Sequence, residues 1–249
     1  LLIMFYKIPS PNRVLFYKGT PRRRKLPARF TVCVWNLHKC KDPGFAPAFA
    51  ACCARADLFL TQEAVFRPGT DNPLLLPGLE WAGAVSFLSL RRHTPIGIAT
   101  GCRAPALQSG YRAQVLEPFF KMPKMALATV YDTENGPLLV LNIHAINFKG
   151  LSAFKLYLAK AAELLAGFPG AVLVAGDFNT WSGGRLTALK QAARALNLQE
   201  AVFEPDTRKR FWGRPVDFLF TRGLQINRAW VEPTAASDHH PLWACLSIE

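Results

Sequence analysis

The chain has 249 residues, with 30 Lys plus Arg against 17 Asp plus Glu and a formal charge of +13. Half of its residues are hydrophobic and 19% are charged, which excludes a disordered polypeptide too poor in apolar groups to offset the entropy of ordering. The apolar opening run is cut by Lys7 and Pro9, far short of the roughly 20 apolar residues of a membrane span; a cytoplasmic protein with no transmembrane segment is expected.

Residues 1–28 are rich in Pro, Arg and Lys and close on Pro21-Arg22-Arg23-Arg24-Lys25-Leu26-Pro27, the composition of a basic, Pro-rich N-terminal arm. From residue 29 the texture changes. Short apolar, β-branched runs bounded by turn residues predict strands at 31–37, 57–62, 81–87, 96–100, 126–131, 138–144 and 171–175, then at 216–221, 225–231 and 241–248. Ala and Leu at helical spacing predict helices over 47–55, 151–165 and 185–196. Several strands follow one another directly, which argues against the strand-helix alternation of a doubly wound sheet. The expected fold is α/β, a four-layer sandwich of two mixed β-sheets packed face to face and flanked by helices, in a single domain over 29–249. The six cysteines show no zinc-ligand spacing and read as reduced, structural thiols.

Polar residues collect at strand ends. Asn36 ends TVCVWN, Glu63 ends DLFLTQE, His144 ends LLVLNIH, Asp177 and Asn179 end AVLVAGDFN, Asp217 opens VDFLF, and Asp238-His239 precede HPLWACL. Acids, amides and imidazoles at strand termini are what a site on the rim of a sheet requires. Carboxylates and carboxamides without a cysteine are hard oxygen donors, suited to Mg²⁺ or Mn²⁺ rather than zinc. Taken one at a time, each has an ordinary structural reading: an Asn after a strand forms turns, Gly176-Asp177 is a strand-to-loop turn, and Asp238 caps the chain before Pro241. Their order carries the signal.

The ordered set W-N, Q-E, N-x-H, G-D-F-N, V-D-F and S-D-H-x-P resembles the endonuclease/exonuclease/phosphatase superfamily over about residues 30–248. The strings Leu141-Asn142-Ile143-His144-Ala145-Ile146-Asn147-Phe148, Gly176-Asp177-Phe178-Asn179-Thr180-Trp181, Gly213-Arg214-Pro215-Val216-Asp217-Phe218 and Ser237-Asp238-His239-His240-Pro241-Leu242 are similar to those of a bacterial YafD-type subgroup. The resemblance implies that Glu63 is the principal ligand of a divalent cation, Mg²⁺ or else Mn²⁺, with Asn36 and Asp238 completing or supporting its shell. Asp177 would orient and deprotonate the attacking water, and Asn179 would hold a phosphate oxygen or that water. His239 would bind the scissile phosphoryl group, with Asp217 fixing its tautomer.

His144 tilts the resemblance away from abasic-site endonucleases, which commonly place a tyrosine nearby; its acidic partner is open between Glu117 and Glu80. Lys124 and Arg112 are the cationic candidates for substrate contact, together with Lys121, Lys149 and Arg208-Lys209-Arg210. Trp35, Trp181 and Trp212 flank site motifs and read more readily as core than as stacking platforms. The implied activity is that of a metal-dependent phosphodiesterase, and the +13 charge favours nucleic acid as substrate; a monomer is expected. The rival readings are a phosphatase or phospholipase-C-like enzyme acting on inositol phosphates or phospholipids, and a non-catalytic nucleic-acid-binding module of the same fold.

Overall fold

The computed structural model describes residues 6–67, 76, 78–89, 94–116 and 123–248. The strands are β1 (Tyr6–Lys7), β2 (Leu15–Gly19), β3 (Arg29–Asn36), β4 (Leu58–Val65), β5 (Glu80–Ser89), β6 (Thr94–Cys102), β7 (Ala106–Leu116) and β8 (Pro123–Thr133). They continue with β9 (Gly136–His144), β10 (Ala171–Asp177), β11 (Gln199–Glu200), β12 (Arg210–Phe211), β13 (Arg214–Pro215), β14 (Asp217–Arg222), β15 (Gln225–Val231) and β16 (Leu242–Ser247). Three α-helices accompany them among the described residues: α1 (Phe45–Arg55), α2 (Leu151–Ala162) and α3 (Gly183–Ala195).

One sheet runs β1-β5-β6-β4-β3-β16-β15, with β2 also on β5, and the other runs β11-β14-β10-β9-β8-β7. Each sheet has a parallel pair at its heart, β3 with β4 and β9 with β10, among antiparallel neighbours. The period of two in each strand sorts side chains into layers. Val32 and Val34, Leu58 and Leu60, and Leu242, Ala244 and Leu246 face inward against Leu138, Val140, Leu173, Ala175 and Leu219 of the other sheet. Their alternates face outward. Cys33, Trp35, Phe59 and Trp243 pack under α1, whose Phe45, Phe49, Cys52 and Cys53 form one helical stripe. Leu139, Leu141, Ile143, Val172, Val174, Phe218 and Phe220 pack under α2 and α3. The result is the four-layer arrangement expected from the sequence. Phe49 stacks on both Phe59 and Trp81, so truncating it to Ala would cost about 3–5 kcal/mol.

Helix boundaries follow local chemistry. Pro47 sits in the first turn of α1, where a missing N–H costs nothing. Ser182 caps α3 by accepting the Arg185 N–H at 3.4 Å.

The structure adds strands outside those expected from the sequence. The stretch read as an N-terminal arm contributes β1 and β2, both paired with β5, and Leu26 is fully buried beside a bridge to Thr133. Phe16 of β2 lies over Gly83 and meets Phe66 edge-on at 4.7 Å, so the apolar members of a mostly basic segment cover what would be an open sheet edge. A further addition is β7, an edge strand whose polar sequence ALQSGYRAQVL hides its pairing with β8. Among the described residues no helix is long and apolar enough to cross a membrane.

Candidate active site

Because the central strands of each sheet are parallel, their C-terminal ends share one rim. β3 ends at Asn36, β4 runs past Glu63, β9 ends at His144 and β10 at Asp177, while β14 starts at Asp217 and the turn before β16 carries Asp238 and His239. Within the second sheet Asp177 is in register with both His144 and Asp217. A cleft of about 600 Å³ opens here, lined among others by Asn36, Glu63, Lys124, His144, Asp177, Asn179, Asp238 and His239.

Local backbone devices aim these groups. β4 carries an irregularity between Thr61 and Ala64, with Glu63 in the left-handed region at φ 50. That bulge turns its carboxylate towards the cleft rather than along the strand. Asn179 is also left-handed at φ 51, a conformation Asn tolerates, and its N–H donates to Asp177 Oδ1 at 2.9 Å. Below the rim the sheets are joined by a buried amide pair, Gln62 Nε2 donating to Asn142 Oδ1 at 2.7 Å, and Asn142 Nδ2 donates on to the Thr61 and Ala99 carbonyls.

Asp177 stands at the centre. Its Oδ2 accepts from Asn36 Nδ2 at 3.0 Å and lies 3.6 Å from His144 Nε2 and 4.0 Å from His239 Nε2. Burial pushes its carboxyl up to about 6, with the Asp217 charge adding to the rise and the His239, Lys124 and Asn179 groups opposing it. His239 Nδ1 meets Asp217 Oδ2 at 2.7 Å. Burial opposes the imidazolium, but the charge and hydrogen bond of Asp217, aided by Asp177 and Asp238, raise His239 to about 10. Trp35 Nε1 donates to the His239 carbonyl at 3.1 Å, and Ser237 Oγ accepts the His239 N–H while donating to the Asn36 carbonyl. The histidine is thereby fixed through both its ring and its backbone.

His144 has a different neighbour. Lys124 Nζ is 2.7 Å from its Nε2. Burial, then Lys124, His239 and Lys39, hold the imidazole well below its ordinary value, so the ring is neutral. Burial alone would raise Glu63, yet Lys124, Lys39, His239 and His38 together outweigh it and keep the carboxylate charged.

The other sequence candidates fall as follows. Asp238 lines the cleft with its carboxylate 3.4 Å from His38 Nε2. Arg112 lies elsewhere, its Nε 3.5 Å from Glu163 beside the end of α2, because β7 is the outermost strand of its sheet. Glu80 is not the acidic partner of His144: it accepts the Ala106 N–H at 2.7 Å and is in register with Cys102, which pairs with Leu58 at the far end of β4 from Glu63. Glu117 and Lys121 lie outside the described residues. Trp35 is core, whereas Trp181 and Trp212 both line the cleft.

Several site residues were not foreseen. His38, Lys39 and Cys40 form a run of three left-handed residues, φ 46, 59 and 53, that carries Lys39 Nζ to 3.6 Å from Glu63 Oε2 and His38 to Asp238. Arg185, in the first turn of α3, is buried and donates to the carbonyls of Asn179, Lys149 and Ile146. The only sequence signal for the first group was its adjacency to the W-N motif; Arg185 had none.

The sequence profile of the Endonuclease/Exonuclease/phosphatase family matches residues 33–239. A UPF0294 protein of Yersinia pseudotuberculosis is 38% identical over 230 residues, which span 90% of this chain and 87% of the relative. Among solved structures, an endonuclease/exonuclease/phosphatase from Beutenbergia cavernae gives a TM-score of 0.64 at 17% identity, covering 91% of this chain and 72% of that one. A mannosyl-6-phosphatase of Bacteroides thetaiotaomicron gives 0.63 at 17% identity, over 88% of this chain and 100% of that one. These two likenesses bear on the fold.

Proposed function

Since the chain belongs to the Endonuclease/Exonuclease/phosphatase family, whose members are phosphoesterases and nucleases, we propose that it hydrolyses phosphodiester bonds, with nucleic acid as its substrate and a divalent metal as its cofactor. The observation that carries this reading is Asp177, a buried carboxylate ringed by Asn36, His144 and the Asp217-braced His239 at the floor of an open cleft.

The residues fit a hard divalent cation. Glu63 Oε2 is buried with no hydrogen-bond partner among the described residues, Lys39 Nζ standing 3.6 Å away, although its carboxylate is charged, and the Asn36 and Asp238 oxygens on the same cleft lining are hard donors. Glu63 would hold the ion, with Asp238 and Asn36 nearby; the Asn36 amide also serves Asp177 through Nδ2 and the His38 N–H through Oδ1. When bound, such an ion supplies charge neutralisation on the phosphoryl oxygens.

The chain's own groups divide the remaining work. Asp177, ionised above about pH 6, accepts a proton from the attacking water. The water oxygen bonds to phosphorus as the ester P–O bond breaks. His239, kept protonated by Asp217, donates from Nε2 to a non-bridging oxygen as charge develops there. Lys124, against neutral His144, meets the charge on the departing oxygen, which takes its proton through this pair. Lys149 and the excess of basic residues favour an anionic polymer at the cleft.

The test is cleavage of labelled single- and double-stranded DNA and RNA with Mg²⁺, Mn²⁺ or EDTA, run alongside Asp177→Asn and His239→Ala. Metal-dependent cutting abolished by both substitutions is expected. Cutting that survives EDTA or both variants overturns the mechanism, and hydrolysis of inositol phosphates or phospholipids with inert nucleic acids overturns the substrate.

A further inference from the structure

The hairpin over the cleft contains a local inconsistency that burial does not explain. Arg210 pairs with Pro215 and Phe211 with Arg214, which leaves Trp212 and Gly213 as a two-residue turn with φ 49 and 75. Two positive φ values define the mirror-image turn that favours Asn, Asp or Gly at its first position. A tryptophan there is disfavoured by its backbone, and at 71% exposure it gains little from burial in return. Phe148, on the cleft lining, repeats the pattern with φ 52 and 61% exposure.

The tip is held rather than loose. Asp206 binds Arg208 at 2.8 Å and Arg210 at 3.1 Å, and Arg208 also donates to the Asp217 carbonyl, linking the hairpin root to the catalytic strand. Arg210 and Arg214 donate to the turn carbonyls of Gly213 and Trp212. Trp212 meets Trp181 edge-on, ring centres 5.5 Å apart at 90°. Trp181 is in turn fixed by its Nε1 bond to Asn147 at 2.8 Å and by the Arg185 guanidinium 5.2 Å from its ring. One wall of the cleft is therefore a braced aromatic face, Phe211, Trp212 and Trp181, opposite the titratable floor.

We propose that Trp212, backed by Trp181, is a stacking subsite for an unpaired nucleobase adjoining the scissile phosphate, which makes single-stranded nucleic acid the preferred substrate. This deepens, and rests on, the nucleic-acid reading above. A flat, rigid π-face accepts any base, and stacking on such a face is a sequence-tolerant source of affinity. In a duplex the base faces are already occupied by their neighbours, so only an unpaired base can present one to Trp212. Arg210 and Arg214 stand at the same tip, where they can meet the adjoining phosphates. Insertion of this tip into a lipid core would instead carry both guanidiniums into hydrocarbon, at high cost.

The experiment compares wild type, Trp212→Ala and Trp212→Phe on one oligonucleotide, single-stranded and annealed to its complement, with Mg²⁺. Expected are wild-type preference for the single strand, a rise in KM of about tenfold for Trp212→Ala with kcat within twofold, and near-wild-type KM for Trp212→Phe. At 71% exposure Trp212 contributes little to the core, so the Tm of Trp212→Ala should stay within a few degrees of wild type, which separates the effect from misfolding. Equal cleavage of both forms by wild type, or an unchanged KM in Trp212→Ala, overturns the subsite while leaving the activity standing. A wild-type enzyme inert on every nucleic acid overturns the nucleic-acid reading itself. Loss of binding to anionic phospholipid vesicles by Trp212→Ala, with nucleic-acid KM unchanged, assigns the tip to a membrane and overturns the proposal.

Discussion

Lys124 Nζ sits 2.7 Å from His144 Nε2, so the imidazole accepts from an ammonium where an acidic partner was sought. An imidazole in that position keeps its proton on Nδ1 and stays neutral; the positive charge on this side of the cleft belongs to the lysine. Replacing Lys124 by Met should lower kcat by about 10²-fold, the scale of one lost charge-stabilising donor. It should also raise the His144 pKa towards its ordinary value, since Lys124 is among the groups depressing it. NMR titration of the metal-free protein checks the second effect, and an unmoved His144 would refute the contact. Arg112→Ala should leave both quantities unchanged.

Asp177 is a residue whose function and stability conflict. Its carboxyl is raised to about 6, so at pH 8 the folded protein holds a buried charge that burial and Asp217 both oppose. A raised carboxyl pKa means that stability falls as pH climbs from about 4 to 6 and does not return above it. Asp177→Asn removes that cost while keeping the shape, so it should abolish detectable hydrolysis and yet melt at the same or a higher temperature at pH 8. A Tm several degrees lower, by calorimetry, would show that the carboxylate is structural.

The Asp217–His239 pair titrates with the opposite chemistry but the same sign. A histidine raised to about 10 contributes stability that is complete below about pH 6.5 and disappears as pH rises through 10. Metal-free wild type should therefore lose stability between pH 6.5 and 10, and Asp217→Asn, which lowers the His239 pKa, should lose less across that interval. Urea melts at several pH values in EDTA measure this directly; parallel curves for the two proteins would exclude the charge pair.

Much of the fold was legible because strands such as 138–144 and 171–177, buried on both faces, are continuous apolar runs bounded by turn residues, and because one α1 stripe repeats at helical spacing. The order of strand-end polar groups was legible for the same reason: parallel pairs β3/β4 and β9/β10 deliver Asn36, Glu63, His144 and Asp177 to one rim. Edge strands were harder. β2 and β7 each have one neighbour and a wet face, so basic or polar residues mask their alternation. Side-chain partnerships across the rim, Lys124 with His144 or Lys39 with Glu63, join residues far apart in the chain and leave no spacing to read.

Gly176, in the G-D-F-N string, shows why that string needs its glycine. Its φ is 142, and a Cβ would collide with the Ile143 carbonyl of the adjacent parallel strand. Backbone on both sides of the contact belongs to the sheet and cannot yield. Gly176→Ala should cost about 3 kcal/mol and displace Asp177, the next residue, so that a properly folded remainder measured by circular dichroism would still show reduced kcat. A variant with wild-type Tm and kcat would contradict the strain.

Arg185 holds the two loops that frame the cleft. Its Nε donates to the Asn179 carbonyl at 2.7 Å, Nη1 to the Lys149 carbonyl at 3.2 Å and Nη2 to the Ile146 carbonyl, while the guanidinium lies 4.0 Å over the Phe154 ring. Burial lowers its pKa only to about 10, so it stays charged at neutral pH and can serve three acceptors at once. The fork geometry of Arg makes this possible, and a lysine offers one nitrogen to the same three carbonyls. Arg185→Leu strands all three and should cost roughly 3–5 kcal/mol, a Tm fall of about 10 °C. Arg185→Lys should fold with a smaller loss and yet lower kcat, because Asn179 and the segment bearing Asn147 and Lys149 lose their common anchor. If Arg185→Lys instead matched wild type in kcat at its own folded fraction, the guanidinium would be a packing group alone and the loops would owe their placement to α3.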